Sequence, residues 1–305
     1  MSFPNAIIKK ARQCAVKNVD FATRDFRGPP ALHFAEGPPA GPTLLLLHGV
    51  TRCWRDWEPL LPALTREWRV IAPDHRGHGD SGRAESYLVT DYVADAVRFV
   101  RGEMAAPLVI LGHSLGAMVA AAVAAEVPDV VRRIVLADPP FHTMGNRIAA
   151  TAWQAQFTGV REAALRGGTV GELADALAEI RLPAPGGTFK RLGDLRDRAS
   201  LLWSAECLTR FDPAVLTPVI EGRWLDGYDV ARILPRIRCP VLLLQADPAA
   251  GGVMTDADSD EVVQALSSCQ RVRFPGVGHQ LHRDSPEAVL RALQEFHCEG
   301  QQGHE

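Results

Sequence analysis

The sequence predicts an α/β fold, a mostly parallel, doubly wound sheet with a helical cap insertion. Three observations carry this. Apolar runs of strand length recur along the chain. Helical patterns alternate with the early ones. The strand rhythm then breaks between Pro140 and about Pro235. Continuous apolar runs suit strands covered on both faces, and strand–helix alternation is the pattern of a doubly wound sheet. The expected core is residues 1–139 and 236–305, with the cap at 140–235.

In order along the chain, residues 18–36 are expected to form an antiparallel edge hairpin. Thr43 to Leu47, Arg69 to Ala72, Pro107 to Leu111, Ile134 to Ala137 and Val241 to Leu244 are the clearest strands. Asp91 to Val100 and Leu115 to Val127 have helical patterns. The second is Ala-rich, which lets a helix pack closely on a sheet, and Pro128 stops it. Residues 140–235 read as short helices broken by Gly-Gly and Pro-Gly turns, bearing Trp153, Phe157, Trp203, Phe211 and Trp224. An aromatic-bearing insertion late in such a chain is expected to be a lid. The tail from Cys298 onward is polar and expected to fray.

Composition narrows the classes. Lys and Arg total 33 against 36 Asp and Glu, with no long block of either sign. Nucleic acid and membrane surfaces are therefore not expected partners. The six cysteines, including Cys53 and Cys298, show no metal-ligand spacing and no C-x-x-C. No run of about 18 apolar residues occurs, and the start lacks a signal-peptide core. The expectation is a cytoplasmic monomer or homodimer acting on a small molecule, with no cofactor. Residues 256–261 look superficially like a calcium loop. Glu261 stands at the turn-glycine position and Ser267 at the twelfth, so no metal is expected.

Gly112-His113-Ser114-Leu115-Gly116 matches G-x-S-x-G, following an apolar strand and opening a helix. That setting is the nucleophile elbow, with Ser114 exposed on a tight turn at a helix N-terminus. His48-Gly49 follows an earlier strand and can aim the Val50 N–H at a developing oxyanion. The Leu115 N–H would be the second donor. Gly276-Val277-Gly278-His279 follows the run Arg271 to Phe274 near the C-terminus, where the base is expected. His282 competes, and the glycines favour His279. A histidine base fails when protonated, so activity is expected to rise from acid toward neutral pH.

With these motifs and Asp74-His75-Arg76-Gly77-His78-Gly79-Asp80-Ser81, the chain resembles the α/β-hydrolase family from about residue 40 to 297. The resemblance implies the α/β-hydrolase fold and a mainly structural role for the Asp74 segment. It also implies a triad acid. Relatives usually carry the acid after the seventh strand, where this chain has Asp247 two places early and Ala249 in register. Others carry it after the sixth, where Asp138 stands. Asp138 is ranked first, with Asp247 as the alternative. Relatives with dehalogenase or epoxide chemistry carry Asp where this chain has Ser114, which disfavours those reactions.

The expected function is carboxylic ester, lactone or related acyl hydrolysis through an acyl-enzyme on Ser114. Amide or carbon–carbon bond hydrolysis, and ligand binding with little turnover, are the alternatives. Trp54, His113, Phe141, His142, Trp153 and Trp203 are the candidate substrate contacts, with Arg52 or Arg147 as partners for a substrate carboxylate.

Overall fold

The protein is described by a computed structural model covering residues 12–16, 19–104 and 108–299. Four strands open the chain: β1 (Arg12–Val16), β2 (Val19–Phe26), β3 (Leu32–Glu36) and β4 (Thr43–Leu47). A one-turn α1 (Leu61–Leu64) leads to β5 (Arg69–Pro73). Then α2 (Val89–Glu103), β6 (Leu108–His113), α3 (Leu115–Glu126) and β7 (Val131–Ala137) complete the first half.

The insertion follows. It contains α4 (Ala152–Arg166), α5 (Val170–Ala178), a hairpin of β8 (Arg181–Ala184) and β9 (Thr188–Arg191), α6 (Arg198–Leu208), α7 (Leu216–Ile220) and α8 (Val230–Ile233). The chain rejoins the sheet through β10 (Val241–Ala246), α9 (Asp256–Ala265) and β11 (Cys269–Phe274). It ends with α10 (Leu281–Asp284) and α11 (Pro286–Glu299). Of the tail expected to fray, Cys298 and Glu299 close α11, and the rest lies outside the described residues.

The nine-stranded sheet has the order β1-β2-β3-β5-β4-β6-β7-β10-β11. From β5 to β11 all neighbours are parallel, whereas β1, β2 and β3 pair antiparallel at one edge. The expected hairpin is thus present, with β1 as a further edge strand.

Alternation along the central strands sends side chains into two cores, because successive residues face opposite sides. Leu45, Leu47, Ile110 and Leu136 pack beneath α2 and α3, and this core continues into the insertion. Leu44, Leu46, Leu111 and Leu244 pack on the other face against α11 and the Trp54–Leu64 segment. The Ala-rich α3 is buried all round up to Ala125, as expected of a helix apolar on every side.

The hairpin of β8 and β9 departs from the expected all-helical insertion. Its strands are largely exposed, so they carry no in-out hydrophobic alternation to read. Gly186 and Gly187, at φ 74 and 71, supply the left-handed turn that closes it. No helix among the described residues is long and apolar enough to cross a membrane.

Candidate active site

The sheet's parallel strands deliver their C-terminal ends to one edge, and the chemistry-bearing residues sit there. Ser114 lies between β6 and α3 at φ 54 and ψ −116, a strained conformation for a residue with a side chain. Two glycines make it possible. A Cβ at Gly116 would sit 1.9 Å from the Leu47 carbonyl oxygen, and one at Gly112 would sit 2.2 Å from the Gly116 carbonyl oxygen. The α3 backbone therefore passes against β4 and presents its first N–H groups at the turn. Leu115 opens that helix, so its N–H has no intrahelical acceptor.

Asp138 follows β7 at φ 46 and is fully buried. Its N–H donates to the Leu244 carbonyl at 2.8 Å, holding the end of β7 against β10. The carboxylate accepts from the N–H groups of Val253 at 2.9 Å and Met254 at 3.4 Å. It also accepts from His279 Nδ1 at 2.7 Å. A carboxylate only accepts, so the Nδ1 nitrogen carries the proton and Nε2 is left basic.

The His279 ring is further fixed by the Trp153 ring, edge-on with centroids 5.5 Å apart. His113 Nε2 donates to the His279 carbonyl at 2.7 Å. Asp247 is engaged elsewhere. Its carboxylate accepts from the N–H groups of Ala249 and Gly276, both at 2.8 Å, which folds the loop before His279 but does not touch the imidazole.

The loop after β4 is held by neutral histidines. His48 Nδ1 donates to the Gly49 carbonyl at 2.8 Å while its Nε2 accepts the His75 N–H at 3.0 Å. His78 Nε2 accepts the Thr51 N–H at 3.1 Å and Nδ1 donates to the Arg76 carbonyl at 2.8 Å. Thr51 is itself at φ 65. Burial holds His48 well below its ordinary pKa and lowers His75 to about 4 and His78 to about 3, so each keeps one acceptor nitrogen at neutral pH. Asp74 staples the same region, accepting from the Trp54 N–H at 2.7 Å and from His33 Nδ1 at 2.9 Å. The outcome is a rigid turn on which the Val50 N–H meets no partner among the described residues.

Ser114, His279, Val50 and His113 line one inner cavity with about 40 Å³ of free space. Trp153, Phe157 and Met144 close it from the insertion side. An outer cleft of about 430 Å³ adjoins it, and Arg52, Trp153, Gln156, Arg196, His279 and Gln280 line both.

Of the expected contacts, His113 and Trp153 reach the inner cavity and four residues do not. Trp54 packs in the opposite core, its ring 5.4 Å from Phe21, because the turn after Cys53 carries it under the sheet edge. Phe141 stacks on Tyr228, with ring centroids 6.4 Å apart, inside the insertion's core. His142 faces Glu261 at 3.5 Å on α9. Trp203 walls the outer cleft instead, its Nε1 donating to Asp56 at 2.9 Å. Arg147 is taken by a two-pronged pairing with Asp258, both contacts at 2.9 Å. Arg196, Gln156 and Gln280 were not anticipated. Arg196 lies in a charge-rich stretch that reads as solvated helix surface.

Cys53 is no nucleophile candidate, since the neighbouring Cys207 thiol and burial push its own thiol up. Asp56, His113 and His282 come together with metal-like spacing. The Asp56 carboxylate is already engaged by Trp203, by His282 Nε2 at 2.8 Å and by Arg283 at 3.5 Å, with Arg52 at 3.8 Å. That donor set is a hydrogen-bonded hub ringed by cations, which disfavours a metal ion.

Residues 44–292 match the model of the alpha/beta hydrolase family. Among named relatives, the 2-(acetamidomethylene)succinate hydrolase of Mesorhizobium japonicum is 29% identical over 265 residues, covering 84% of this chain and 88% of its own. Epoxide hydrolase A of Mycobacterium tuberculosis is 28% identical over 301 residues, covering 85% and 91%. In fold, the chain is similar to the N-formylmaleamic acid deformylase of Pseudomonas putida, with a TM-score of 0.69 at 20% identity over 93% of this chain and 100% of that one.

Proposed function

The chain belongs to the alpha/beta hydrolase family, and from that premise we propose that it cleaves a carboxylic ester or lactone of a small molecule by acyl transfer through Ser114. The observation that carries this reading is the 2.7 Å hydrogen bond between His279 Nδ1 and the buried Asp138 carboxylate, beside a serine on a strained turn. A carboxylate that holds the Nδ1 proton fixes the tautomer and orientation of the base, and stabilises the imidazolium that forms.

In this mechanism Ser114 Oγ attacks the substrate carbonyl carbon as its proton passes to His279 Nε2. The carbonyl electron pair moves onto oxygen, where the Val50 and Leu115 N–H groups stabilise the charge. Collapse expels the leaving group, which takes the proton from His279, and leaves an acyl group on Ser114. Water then attacks the acyl carbon, giving its proton to His279. The acid product departs as that proton returns to Ser114.

The insertion serves as a lid in the same reading. A space of about 40 Å³ holds no more than a few water molecules, whereas ligand sites commonly span roughly 300–1,000 Å³. Substrate therefore enters when the Trp153 and Phe157 wall of α4 moves back, or it occupies the outer cleft with only its reacting carbonyl inside.

Ser114→Ala compared with wild type on 4-nitrophenyl esters of graded acyl length is the test. Turnover should fall on the order of 10⁴-fold or more in the variant, and a variant as active as wild type sinks the proposal. A second reading, hydrolysis of an acylated nitrogen, draws support from the relative named for 2-(acetamidomethylene)succinate, a molecule bearing an acetamido group. Assaying matched ester and N-acyl substrates side by side separates the two.

A further inference from the structure

Arg52 and Arg196 both line the inner cavity and the outer cleft, whereas no Asp or Glu among the described residues lines the inner cavity. The two histidines there are His113 and His279. His113 is held well below its ordinary pKa by burial and by its histidine neighbours, so it adds no positive charge at neutral pH. Among the described residues, the inner cavity thus has two guanidinium groups against a largely apolar wall and no acidic residue in its lining. Guanidinium groups are rarely left so, because removing a charge from water is costly unless it is paired.

Their protein partners do not complete them. Arg52 is 7% exposed and spends one terminal nitrogen on the Ser204 hydroxyl at 2.9 Å. Its Nε is buried with no hydrogen-bond partner, 3.8 Å from an Asp56 oxygen already shared with Trp203. The guanidinium of the half-buried Arg196 makes no hydrogen bond or close ion pair among the described residues; only its backbone N–H is engaged, donating to the Leu192 carbonyl at 3.0 Å. Burial and the neighbouring Arg52 charge lower its pKa to about 10, so it remains a cation at neutral pH while repelled by its neighbour. Asp284 and Asp197 line the outer cleft, but neither lies within ion-pair distance of Arg196, and Asp197 caps α6 through the Ser200 N–H at 2.7 Å.

We propose that Arg52 and Arg196 form a carboxylate-binding subsite, and that the substrate is an acyl compound carrying a carboxylate a short chain away from the scissile carbonyl. An anion there would fill the open fork of Arg196 and cancel the repulsion between the two guanidinium groups. Gln156 and Gln280, which line both spaces, supply neutral polar groups beside the same position. The assignment rests on the hydrolase reading only for what happens at the scissile bond. Anion binding itself is independent of turnover.

The test therefore has two arms. Titration calorimetry of Ser114→Ala with glutarate, adipate and hexanoate, against hexanamide, measures recognition without chemistry. A carboxylate should bind and hexanamide should not. Arg196→Gln in the same background should weaken carboxylate binding about tenfold or more, the loss of a charge-assisted pair, with Arg196→Lys intermediate. In the second arm, monomethyl succinate and monomethyl glutarate are compared with methyl 4-methylpentanoate and methyl 5-methylhexanoate on the enzyme with Ser114 intact. The ratio of kcat/KM for charged over neutral ester should exceed about tenfold and collapse in Arg196→Gln. No carboxylate binding to Ser114→Ala, or binding unchanged by Arg196→Gln in a variant with wild-type melting behaviour, overturns the subsite. Carboxylate binding without turnover of any ester upholds the subsite and counts against ester hydrolysis.

Discussion

The cavity wall built by the sheet and the wall built by the insertion hold their polar groups in different ways. On the sheet side, Ser114, Asp138 and Thr51 sit at positive φ, and their backbones are clamped by neighbouring strands or by a buried histidine. The donors and acceptors there are buried and largely met by main-chain or side-chain partners, the Asp138 carboxylate by two main-chain N–H groups and His279. On the insertion side, ion pairs such as Arg198 with Asp175 and Arg191 with Glu179 lie in water. Exposed pairs of that kind contribute little, and the guanidinium of Arg196, which faces the cavity, has no ion-pair partner among the described residues. In the proposed reading, the sheet wall is a fixed frame for bond chemistry, and the insertion wall is a surface whose charge is left for a ligand to complete.

This contrast is easiest to break at the acid. Asp138→Asn keeps the side chain's shape but offers His279 an amide in place of a carboxylate. A fall in kcat on the order of 10⁴-fold is expected. Asp247→Asn should leave kcat within about threefold, because Asp247 caps a loop and its loss acts on the stability of that loop instead of on the imidazole. Steady-state kinetics of the two variants on one ester checks the pair. The reverse ranking would move the acid to the other strand.

Asp56 joins the two walls, so it sharpens the comparison. Asp56→Ala leaves His282, Trp203 and Arg52 facing a vacated, fully buried position. A loss of about 3–5 kcal/mol is expected, the usual penalty for removing one partner of a buried charged network. Chemical denaturation gives the value directly. A loss below about 1 kcal/mol would mean that water replaces the carboxylate.

The smallest expected effect is that of acid. His75 and His78 have pKa values near 4 and 3 in the folded protein, well below that of an unfolded histidine, about 6.5. The unfolded chain therefore binds more protons than the folded one between those values, and stability falls as pH drops below about 6.5. Each histidine contributes up to about 1.4 kcal/mol per pH unit, so these two together should remove about 2.5 kcal/mol between pH 7 and 5.5. Denaturation at both pH values measures it. His78→Gln, which retains an acceptor for the Thr51 N–H, should flatten the dependence.

The same contrast explains what was legible in the sequence. The elbow at Ser114, the turn after His48 and the loop before His279 are local backbone devices, written in glycines at fixed offsets from a strand. The sheet followed from runs such as Leu44 to Leu47, which need no tertiary knowledge. Asp138 and Asp247 stand after different strands, each a plausible acid by position, and only the packing of the 247–254 loop brings one of them to an imidazole. Arg196 and Asp56 were opaque for a further reason. Arg196 sits among Lys190, Arg191, Asp194 and Asp197, and Asp56 lies between two tryptophans in a short covering helix. Each gains its meaning from residues more than 100 positions away. Trp54, Phe141 and His142 share the opposite lesson, since nearness in sequence to a motif does not aim a side chain at its cavity.

The Asp56 hub also bears on how this scaffold could be re-engineered. Judged by its chain junctions alone, the 140–235 segment could be exchanged with attention only at two strand ends. Trp203 belongs to that segment, yet its indole proton rests on a carboxylate in the first covering helix, which also holds His282 and Arg283 behind the base. A transplanted segment without a donor at this point would disturb the residues that follow His279. The unit to be moved is the insertion together with its socket, and the seam of a working chimera runs through Asp56.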